Sequence, residues 1–141
     1  MKTLKIVLVA LFVSAANLLF AQDQGILTFE KTDHDFGNVK EEGGPVTVDF
    51  KFKNTGKAPL VVSGVQASCG CTTPDWTKEP VQPGKSGFIR AQYNPQGRPG
   101  VFNKTLTVTS NTTPATSLVT IKGNVIPAPA AAPTPAPTPA K

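Results

Sequence analysis

The sequence is poor in residues that carry catalytic or metal chemistry. Its 141 residues include two cysteines, one histidine and one methionine, which is Met1. A histidine-based catalytic triad would have to use His34, which lies between Asp33 and Asp35 in a segment expected to form a solvated turn. No glycine-rich phosphate loop, HExxH spacing or pair of carboxylates on one strand occurs. The composition therefore argues against an enzyme and against a bound cofactor.

A cluster of basic residues is also missing. The chain has 14 Lys and Arg residues and 9 Asp and Glu residues. Two of the lysines, Lys2 and Lys5, fall within the first 21 residues, which leaves 12 cations against 9 anions in the remainder. These cations occur singly, whereas a nucleic-acid-binding surface concentrates them. The sequence therefore predicts no nucleic-acid partner, and the mild positive charge mainly favours solubility.

The one long apolar stretch lies at the N-terminus and is organised like a secretory signal peptide. Lys2 and Lys5 precede the apolar residues 6–20, and Ala21 is a small residue suited to cleavage, with residues 14–16 as a second candidate site. The stretch is short for a membrane span and contains polar residues. We therefore predict a signal peptide at 1–21, a periplasmic, secreted or cell-surface location, and no stable membrane insertion after processing.

After residue 21, apolar residues do not recur at helical spacing, and a two-residue alternation recurs instead. The clearest case is Pro45–Asn54, where four apolar residues alternate with four polar ones. Neighbouring side chains of a strand point to opposite faces, so this segment has one buried and one wet face. The same alternation returns in Ile89–Tyr93, Leu106–Val108 and Val119–Val125. Residues 25–126 are therefore expected to form one all-β domain.

Turn residues separate these segments. Asn54–Lys57 is typical of a hairpin turn, and Gln82–Lys85 has Pro and Gly at the positions of a type II turn. Leu60–Val65 is a β-branched run suited to a central strand, and Ile26–Val39 is consistent with a first strand split by a turn near residues 32–35. About seven short antiparallel strands in roughly 100 residues predict a two-sheet β-sandwich.

The last fifteen residues, Pro127–Lys141, differ in composition and contain six Pro and six Ala. Such a segment buries little apolar surface and has no backbone donor at any proline. We expect a disordered Pro/Ala-rich tail that acts as a spacer. A ligand for a proline-recognising partner is the alternative.

Cys69-Gly70-Cys71 is the most conspicuous motif, and three states of its thiols are open. The first is a disulfide, either between two chains or between Cys69 and Cys71, where Gly70 permits the kink that the bond requires and the small ring would be easily reduced. Both cysteines could instead be inert thiols, although exported proteins meet oxidants. Two sulfurs on one face of a strand could also bind copper or zinc, but only His34 or a second copy could complete the ligand set. We therefore assign no metal site.

Strand order places three loops at one pole of the sandwich. In an up-and-down arrangement, the loops at residues 41–44, 69–71 and 94–100 share an end. Arg98 would then face the Cys-Gly-Cys turn, either as a contact for an anion or partner or as a cap on loop carbonyl groups. Trp76 is expected to cover the edge of the sandwich, with ligand stacking as the alternative.

Several of these segments together resemble one known family. They are His34–Gly37, Phe52–Gly56, Ser68–Thr72, Pro83–Gly87 and Tyr93–Lys104. The chain resembles the exported domain-of-unknown-function 1573 family over about Leu27–Val125. The resemblance implies an immunoglobulin-like sandwich, similar to Hydin-type and major-sperm-protein-like domains, and it supplies no catalytic residues.

These features predict an exported, non-enzymatic binding or structural module of the bacterial cell envelope. Its partner is expected to be a protein or another envelope component, bound through exposed sheet edges and polar loops, often by strand addition. The alternative is a thiol-redox or soft-metal protein that uses Cys69 and Cys71.

Overall fold

The computed structural model describes residues 23–129, and these consist of strands and loops with no helix among them. The signal peptide predicted for Met1–Ala21 lies outside the described residues, as does the predicted tail beyond residue 129. Eight strands follow one another along the chain. They are β1 (Leu27–Phe29), β2 (Asp33–Lys40), β3 (Val46–Asn54), β4 (Val62–Ala67), β5 (Thr72–Trp76), β6 (Ser86–Tyr93), β7 (Gly100–Ser110) and β8 (Thr116–Ile126).

The strands form two four-stranded sheets, with the orders β1-β3-β6-β5 and β2-β8-β7-β4. The prediction of an all-β, immunoglobulin-like two-sheet sandwich is confirmed. The predicted split first strand is in fact two strands, because β1 pairs with β3 in one sheet while β2 pairs with β8 in the other. The β2–β8 pair is parallel and the remaining pairs are antiparallel. The sandwich therefore has eight strands and one parallel pair, where about seven antiparallel strands were expected.

The alternation predicted for residues 45–54 is present in β3. Phe50 and Phe52 are 3% and 1% exposed, whereas Lys51 between them and Asp49 before them are exposed. Phe52 lies opposite Gly87 of β6, and a Cβ atom at Gly87 would lie only 2.5 Å from the phenyl ring. A glycine is required there because the ring occupies the space of a side chain.

The inward-facing side chains of the two sheets make one core. The alternating apolar residues identified in the later segments are all buried in it. They are Ile89, Ala91, Tyr93, Leu106, Val108, Val119, Ile121 and Val125. Each fully buried aliphatic side chain of this kind stabilises the fold by about 1.5–3 kcal/mol relative to an exposed one.

The prediction of a central strand at Leu60–Val65 is wrong. Leu60 makes only an isolated bridge with Val81, and β4 begins at Val62 and lies at the edge of its sheet. The β-branched run is buried for a different reason. Leu60 and Val62 are 0% and 4% exposed because they pack into the core between the sheets, which a strand at an edge can do with its inward face.

Two turn predictions also fail, and one is confirmed. Asn54–Lys57 is not a hairpin turn, because β3 and β4 belong to different sheets and the chain crosses between them here. His34 lies in β2, paired with Ile121, and not in a turn. The turn at Gln82–Lys85 is present, with Gly84 at φ 79° and a 3.0 Å hydrogen bond from Lys85 N to Gln82 O.

Asn54 is the polar centre of the crossing between the sheets and is 0% exposed. Its Nδ2 donates to the carbonyl oxygens of Ala58 and Val81, both at 2.8 Å. Its Oδ1 accepts from Ile26 N at 3.1 Å and from Gly56 N at 3.0 Å. One buried amide thus forms hydrogen bonds with four backbone groups from three parts of the chain.

Candidate functional site

Three loops meet at one pole of the sandwich. Asn94 N donates to Cys71 O at 3.0 Å, which joins the loop after β6 to the Cys-Gly-Cys turn. Gly97 N donates to Glu41 Oε1 at 3.1 Å, which joins the same loop to the one after β2. The prediction that these loops share a pole is therefore confirmed. The Cys-Gly-Cys turn and the loop after β6 border a hollow of about 500 Å³, which is lined by Cys69, Gly70, Cys71, Tyr93, Arg98, Pro99, Val101, Phe102 and Lys104.

The two cysteines form an intramolecular disulfide, with Cα atoms 5.3 Å apart. This is one of the three states that the sequence left open. Cys71 is 8% exposed and belongs to the core, whereas Cys69 is half-buried and Gly70 is exposed. The disulfide therefore lies at the boundary between the core and the hollow, with Cys69 as its more accessible sulfur.

The hydroxyl of Thr72 lies beside this disulfide. Thr72 Oγ1 is 3.9 Å from Cys69 Sγ and 3.9 Å from Cys71 Sγ, and the residue is 4% exposed. Sequence reasoning assigned Thr72 no role, although it directly follows the cysteine motif. A buried hydroxyl within reach of both sulfurs can donate a weak hydrogen bond to whichever sulfur carries charge.

Two stacked aromatic rings line the hollow beneath the disulfide. Tyr93 and Phe102 have ring centroids 3.9 Å apart and planes inclined by 13°. Burial raises the pKa of the Tyr93 hydroxyl above its ordinary 10.0, and the charge of Arg98 acts in the opposite direction. The positive charge of Arg98 is therefore close enough to act on a group in the wall of the hollow.

The side chain of Arg98 is held by its own loop. Its Nη1 donates to Gln96 O at 3.0 Å and to Asn94 O at 3.5 Å. The structure thus contains the carbonyl-capping contacts, and it also places Arg98 in the same hollow as the disulfide. A contact between Arg98 and an anion or partner stays a prediction.

Lys104 is a functional candidate that sequence reasoning missed. Phe102 and Leu106, two residues before and after it in β7, are 5% and 0% exposed, so Lys104 is in the row of side chains that faces the core. It is half-buried and lines the hollow. A charge that interrupts an apolar row is the signal that could have identified it, because such local inconsistencies concentrate at functional sites.

His34 does not take part in this site. It lies at the start of β2, whereas the end of β2 leads to Glu41 at the pole with the hollow. At about 3.3 Å per residue this separates them by roughly 20 Å. Instead, the imidazole packs edge-on against Phe36, with 4.6 Å between ring centroids. Among residues 23–129, no group of three or more His, Cys, Asp and Glu side chains is placed to bind a metal ion.

The chain leaves the sandwich at the pole that carries the hollow. Ala128 is half-buried, and its N–H donates to Glu41 Oε2 at 3.1 Å. The first described residues of the predicted tail are therefore attached to the domain, and the tail starts beside the loop that holds Arg98.

The four edge strands of the sandwich differ in their capacity to pair with a further strand. In β5, alternate residues direct their backbone away from β6. Of these, Thr72 N donates to Cys69 O at 3.4 Å, and Pro74 has no N–H. Trp76 N donates to the Asp75 carboxylate at 2.9 Å. The outward donors of β5 are thus occupied or absent.

Two further edges are poorly suited to pairing. β1 has only three residues. β2 has a register shift between Asp35 and Asn38, and the Asp35 carboxylate binds Gly37 N at 2.8 Å. Short edge strands and bulges are the usual means of preventing edge-to-edge pairing.

The edge of β4 remains available in its C-terminal half. Ser68 N donates to Thr105 O of β7 at 2.9 Å, so the alternate residues Val65 and Ala67 direct their backbone N–H and C=O away from β7. At the other end of β4, Trp76 Nε1 donates to Val62 O at 3.2 Å. The prediction that Trp76 covers the edge of the sandwich is confirmed for that end.

Comparison with protein families agrees with this architecture. The family model described as "Protein of unknown function (DUF1573)" matches residues 27–125. The chain belongs to this family. The match covers nearly all of the sandwich, including the disulfide, Thr72, Arg98 and Lys104. No curated protein matches the sequence.

Solved structures similar to this family member share its fold at low sequence identity. A protein of unknown function from Porphyromonas gingivalis W83 is 17% identical with a TM-score of 0.64, over 76% of this chain and 50% of that one. The ASH/PapD-like domain 7 of human CEP192 is 15% identical with a TM-score of 0.56, over 80% and 94%. The secreted serine protease VesC from Vibrio cholerae is 17% identical with a TM-score of 0.54, over 80% and 26%.

The chain thus spans half of the Porphyromonas protein and about a quarter of VesC. At these identities the likeness concerns the fold alone. Within residues 23–129 there is no helix of the length and apolarity needed to cross a membrane.

Proposed function

We propose that this chain is an exported, non-enzymatic binding module that accepts an extended segment of a partner protein as an additional strand on β4. The observation that carries the proposal is the difference between the four sheet edges. The outward donors of β5 are occupied or absent, β1 is short and β2 is bulged. In β4, by contrast, Val65 and Ala67 direct their backbone N–H and C=O groups away from the sheet. Main-chain hydrogen bonds to such an edge supply the affinity in strand addition.

The surroundings of this edge define what it accepts. Trp76 bounds it on the side of Val62, and the disulfide turn bounds it beyond Ala67. Only a short extended segment, about four residues at 3.3 Å each, fits between these limits. The exposed side chains of Ser63 and Gln66 are polar, so side-chain selectivity there is expected to favour polar residues.

We further propose that the protein acts in the periplasm or at the cell surface. The charged and apolar organisation of residues 1–21 supports export, and the Cys69–Cys71 disulfide agrees with an oxidising compartment, where disulfides form. Mass analysis of the protein from fractionated cells tests this. We expect a mature chain that begins at Gln22 or Asn17 in the envelope or the medium, and an unprocessed chain in the cytosol would contradict export.

Peptide selection tests the strand-addition proposal. Peptides are selected by phage display on the immobilised chain, and their affinity is then measured for an Ala67→Pro variant. Proline at Ala67 removes an outward N–H without removing a β4–β7 hydrogen bond, so the affinity is expected to fall by about tenfold or more. The control is Asp33→Pro, which removes an outward donor at the edge of β2 and should leave the affinity within about twofold.

Amide exchange with a selected peptide gives the second readout. Binding on β4 should slow hydrogen exchange at Val65 and Ala67 and leave β1 and β2 unchanged. The proposal fails if selection yields no peptide with a dissociation constant below the millimolar range. It also fails if Ala67→Pro binds the selected peptides as well as the unmodified chain does.

A further inference from the structure

The disulfide at the pole closes a loop too small to stabilise the fold much. Cys69 and Cys71 are separated by two positions in the sequence. A disulfide stabilises mainly by restricting the unfolded chain, and this effect increases with the length of the closed loop. The smallest loops therefore contribute least, and the stability of the domain gives little reason for this bond.

The turn is also held without the sulfur–sulfur bond. Ser68 N donates to Thr105 O at 2.9 Å, and Asn94 N donates to Cys71 O at 3.0 Å, so backbone hydrogen bonds fix both ends of the turn. Gly70 at its tip is exposed and has nothing within 4 Å of a Cβ position. The bond can therefore open and close while the sandwich around it remains folded.

The electrostatic surroundings favour a thiolate at this position. Arg98 and Lys104 line the hollow with the disulfide, and none of the lining residues is a carboxylate. Within residues 23–129, neither cation forms a salt bridge. Neighbouring cations lower the free energy of a thiolate relative to a thiol and raise its reactivity in exchange. A cation on the core-facing row of β7 has no role in packing that an apolar residue would not fill better.

We propose that Cys69–Cys71 is a thiol–disulfide exchange site for cysteine thiols that lie in anionic segments of a partner. Cys69 is the sulfur that is attacked, because it is the more exposed of the two, and Cys71 is the leaving group. Thr72 Oγ1, 3.9 Å from Cys71 Sγ, stabilises the departing thiolate by donating a hydrogen bond. Arg98 and Lys104 attract the anionic thiol and stabilise both charged sulfurs.

The exchange conserves atoms and electrons in two steps. A partner thiolate attacks Cys69 Sγ, a new sulfur–sulfur bond forms, and Cys71 leaves with the electron pair of the broken bond. A second partner thiolate then attacks the partner sulfur of this mixed disulfide and releases Cys69 as a thiolate. The two protons of the partner thiols pass to Cys69 and Cys71, and the partner ends as a disulfide after giving up two electrons.

The test uses two small thiols of opposite charge, reduced glutathione, which is anionic, and cysteamine, which is cationic. Reduction rates of the oxidised chain are compared with those of an Arg98→Gln/Lys104→Gln variant. Loss of leaving-group stabilisation slows reduction by both thiols, but only the anionic thiol also loses its attraction to the cations. We therefore expect this variant to lose about threefold to tenfold in rate with glutathione and clearly less with cysteamine. For each thiol, the rate with the variant is divided by the rate with the unmodified chain, so the intrinsic reactivity of the thiol cancels. Lys57→Gln/Lys85→Gln changes the net charge equally at the opposite pole, after β3 and before β6, and should retain the rates of the unmodified chain.

Two further measurements separate exchange from a structural role. In single-cysteine variants, oxidised glutathione should modify Cys69 in Cys71→Ser at least about tenfold faster than Cys71 in Cys69→Ser, because Cys71 is buried. Thr72→Val should slow reduction by both thiols alike, since a hydroxyl stabilises the leaving sulfur whatever the charge of the attacking thiol. The melting temperature of the reduced chain should lie within about 5 °C of the oxidised value.

Three results would each overturn the proposal. The first is an equal loss of rate with both thiols in the Arg98/Lys104 variant, or no loss with either. The second is faster modification of Cys71 than of Cys69. The third is a drop of more than about 10 °C in melting temperature on reduction, which would make the disulfide a structural bond.

Discussion

The ring of Tyr93 lies flat against the ring of Phe102, 3.9 Å away between centroids. Tyr93 ends β6 in one sheet and Phe102 belongs to β7 in the other, so the pair joins the two sheets directly beneath the hollow. The residues are 1% and 5% exposed. This contact links the packing of the core to the shape of the candidate site.

Phe102→Ala is expected to lower the free energy of unfolding by about 3–5 kcal/mol, because it removes buried apolar surface and leaves a cavity beside Tyr93. Denaturant unfolding followed by fluorescence measures this change. The control is the neighbouring Val101→Ala, whose side chain is 86% exposed and which should change stability by less than about 0.5 kcal/mol. A loss below about 1 kcal/mol for Phe102→Ala would show that the ring is not part of the core.

Asn54→Asp is expected to destabilise the domain by about 2–4 kcal/mol, although the two side chains have nearly the same shape. A carboxylate cannot donate to the carbonyl oxygens of Ala58 and Val81, and it would be charged in a fully buried position. Thermal and denaturant unfolding at neutral pH measure the loss. Lys53→Gln, at the exposed neighbouring position, is the control. Stability equal to that of the unmodified chain would mean that Asn54 does not hold the crossing between the sheets.

Asp49 and Arg90 form a two-bond ion pair on the outer face of one sheet, with Nε–Oδ1 and Nη2–Oδ2 distances of 2.6 and 2.8 Å. The hydrogen bonds from Arg90 hold the pKa of Asp49 below its ordinary 3.8, and the charges of Arg90 and Lys51 act in the same direction. NMR titration should show this lowered pKa, a return toward 3.8 in Arg90→Gln, and a smaller rise in Lys51→Gln.

The same pair predicts a pH dependence of stability. Because the pKa of Asp49 is lower in the folded chain than in the unfolded one, the stabilisation is complete above the unfolded pKa and disappears as pH falls through the folded pKa. The unfolding free energies of the unmodified chain and Arg90→Gln should therefore differ at neutral pH and converge in acid. The difference is expected to be small, since both side chains are partly exposed. A difference that stays constant down to pH 2 would contradict this account.

Removing residues 130–141 is expected to leave the melting temperature unchanged within about 1 °C, since a Pro/Ala segment buries little surface. Removing residues 127–141 also deletes the hydrogen bond from Ala128 to Glu41, and this truncation should lower the melting temperature slightly. Calorimetry of the two truncated chains against the mature chain measures both effects. A loss of several degrees on removal of 130–141 would show that this segment packs on the domain.

The site could be predicted from the sequence only in part. Strand counting predicted that Arg98 lies near the Cys-Gly-Cys turn, because the direction of successive strands determines which loops share a pole. Lys104 was missed, since the count does not say which face of β7 borders the hollow. Thr72 was missed because its distance to the two sulfurs depends on how the turn folds back between β4 and β5.

The sequence by itself determined the features that arise from neighbouring residues. Alternation of side chains is a local property of an extended chain, so the inward faces of β3, β6, β7 and β8 could be identified without a partner strand. Gly84 supplies the positive φ of its turn, again a local requirement.

Only the tertiary structure decided which strands lie at edges, that β2 runs parallel to β8, and which residues border the hollow. These features depend on contacts between distant parts of the chain. The hydrogen bond from Gly97 to Glu41 spans 56 residues, and that from Asn54 to Val81 spans 27. No local pattern encodes such pairings, because they follow from how two sheets with many compatible inward faces pack together at the lowest free energy.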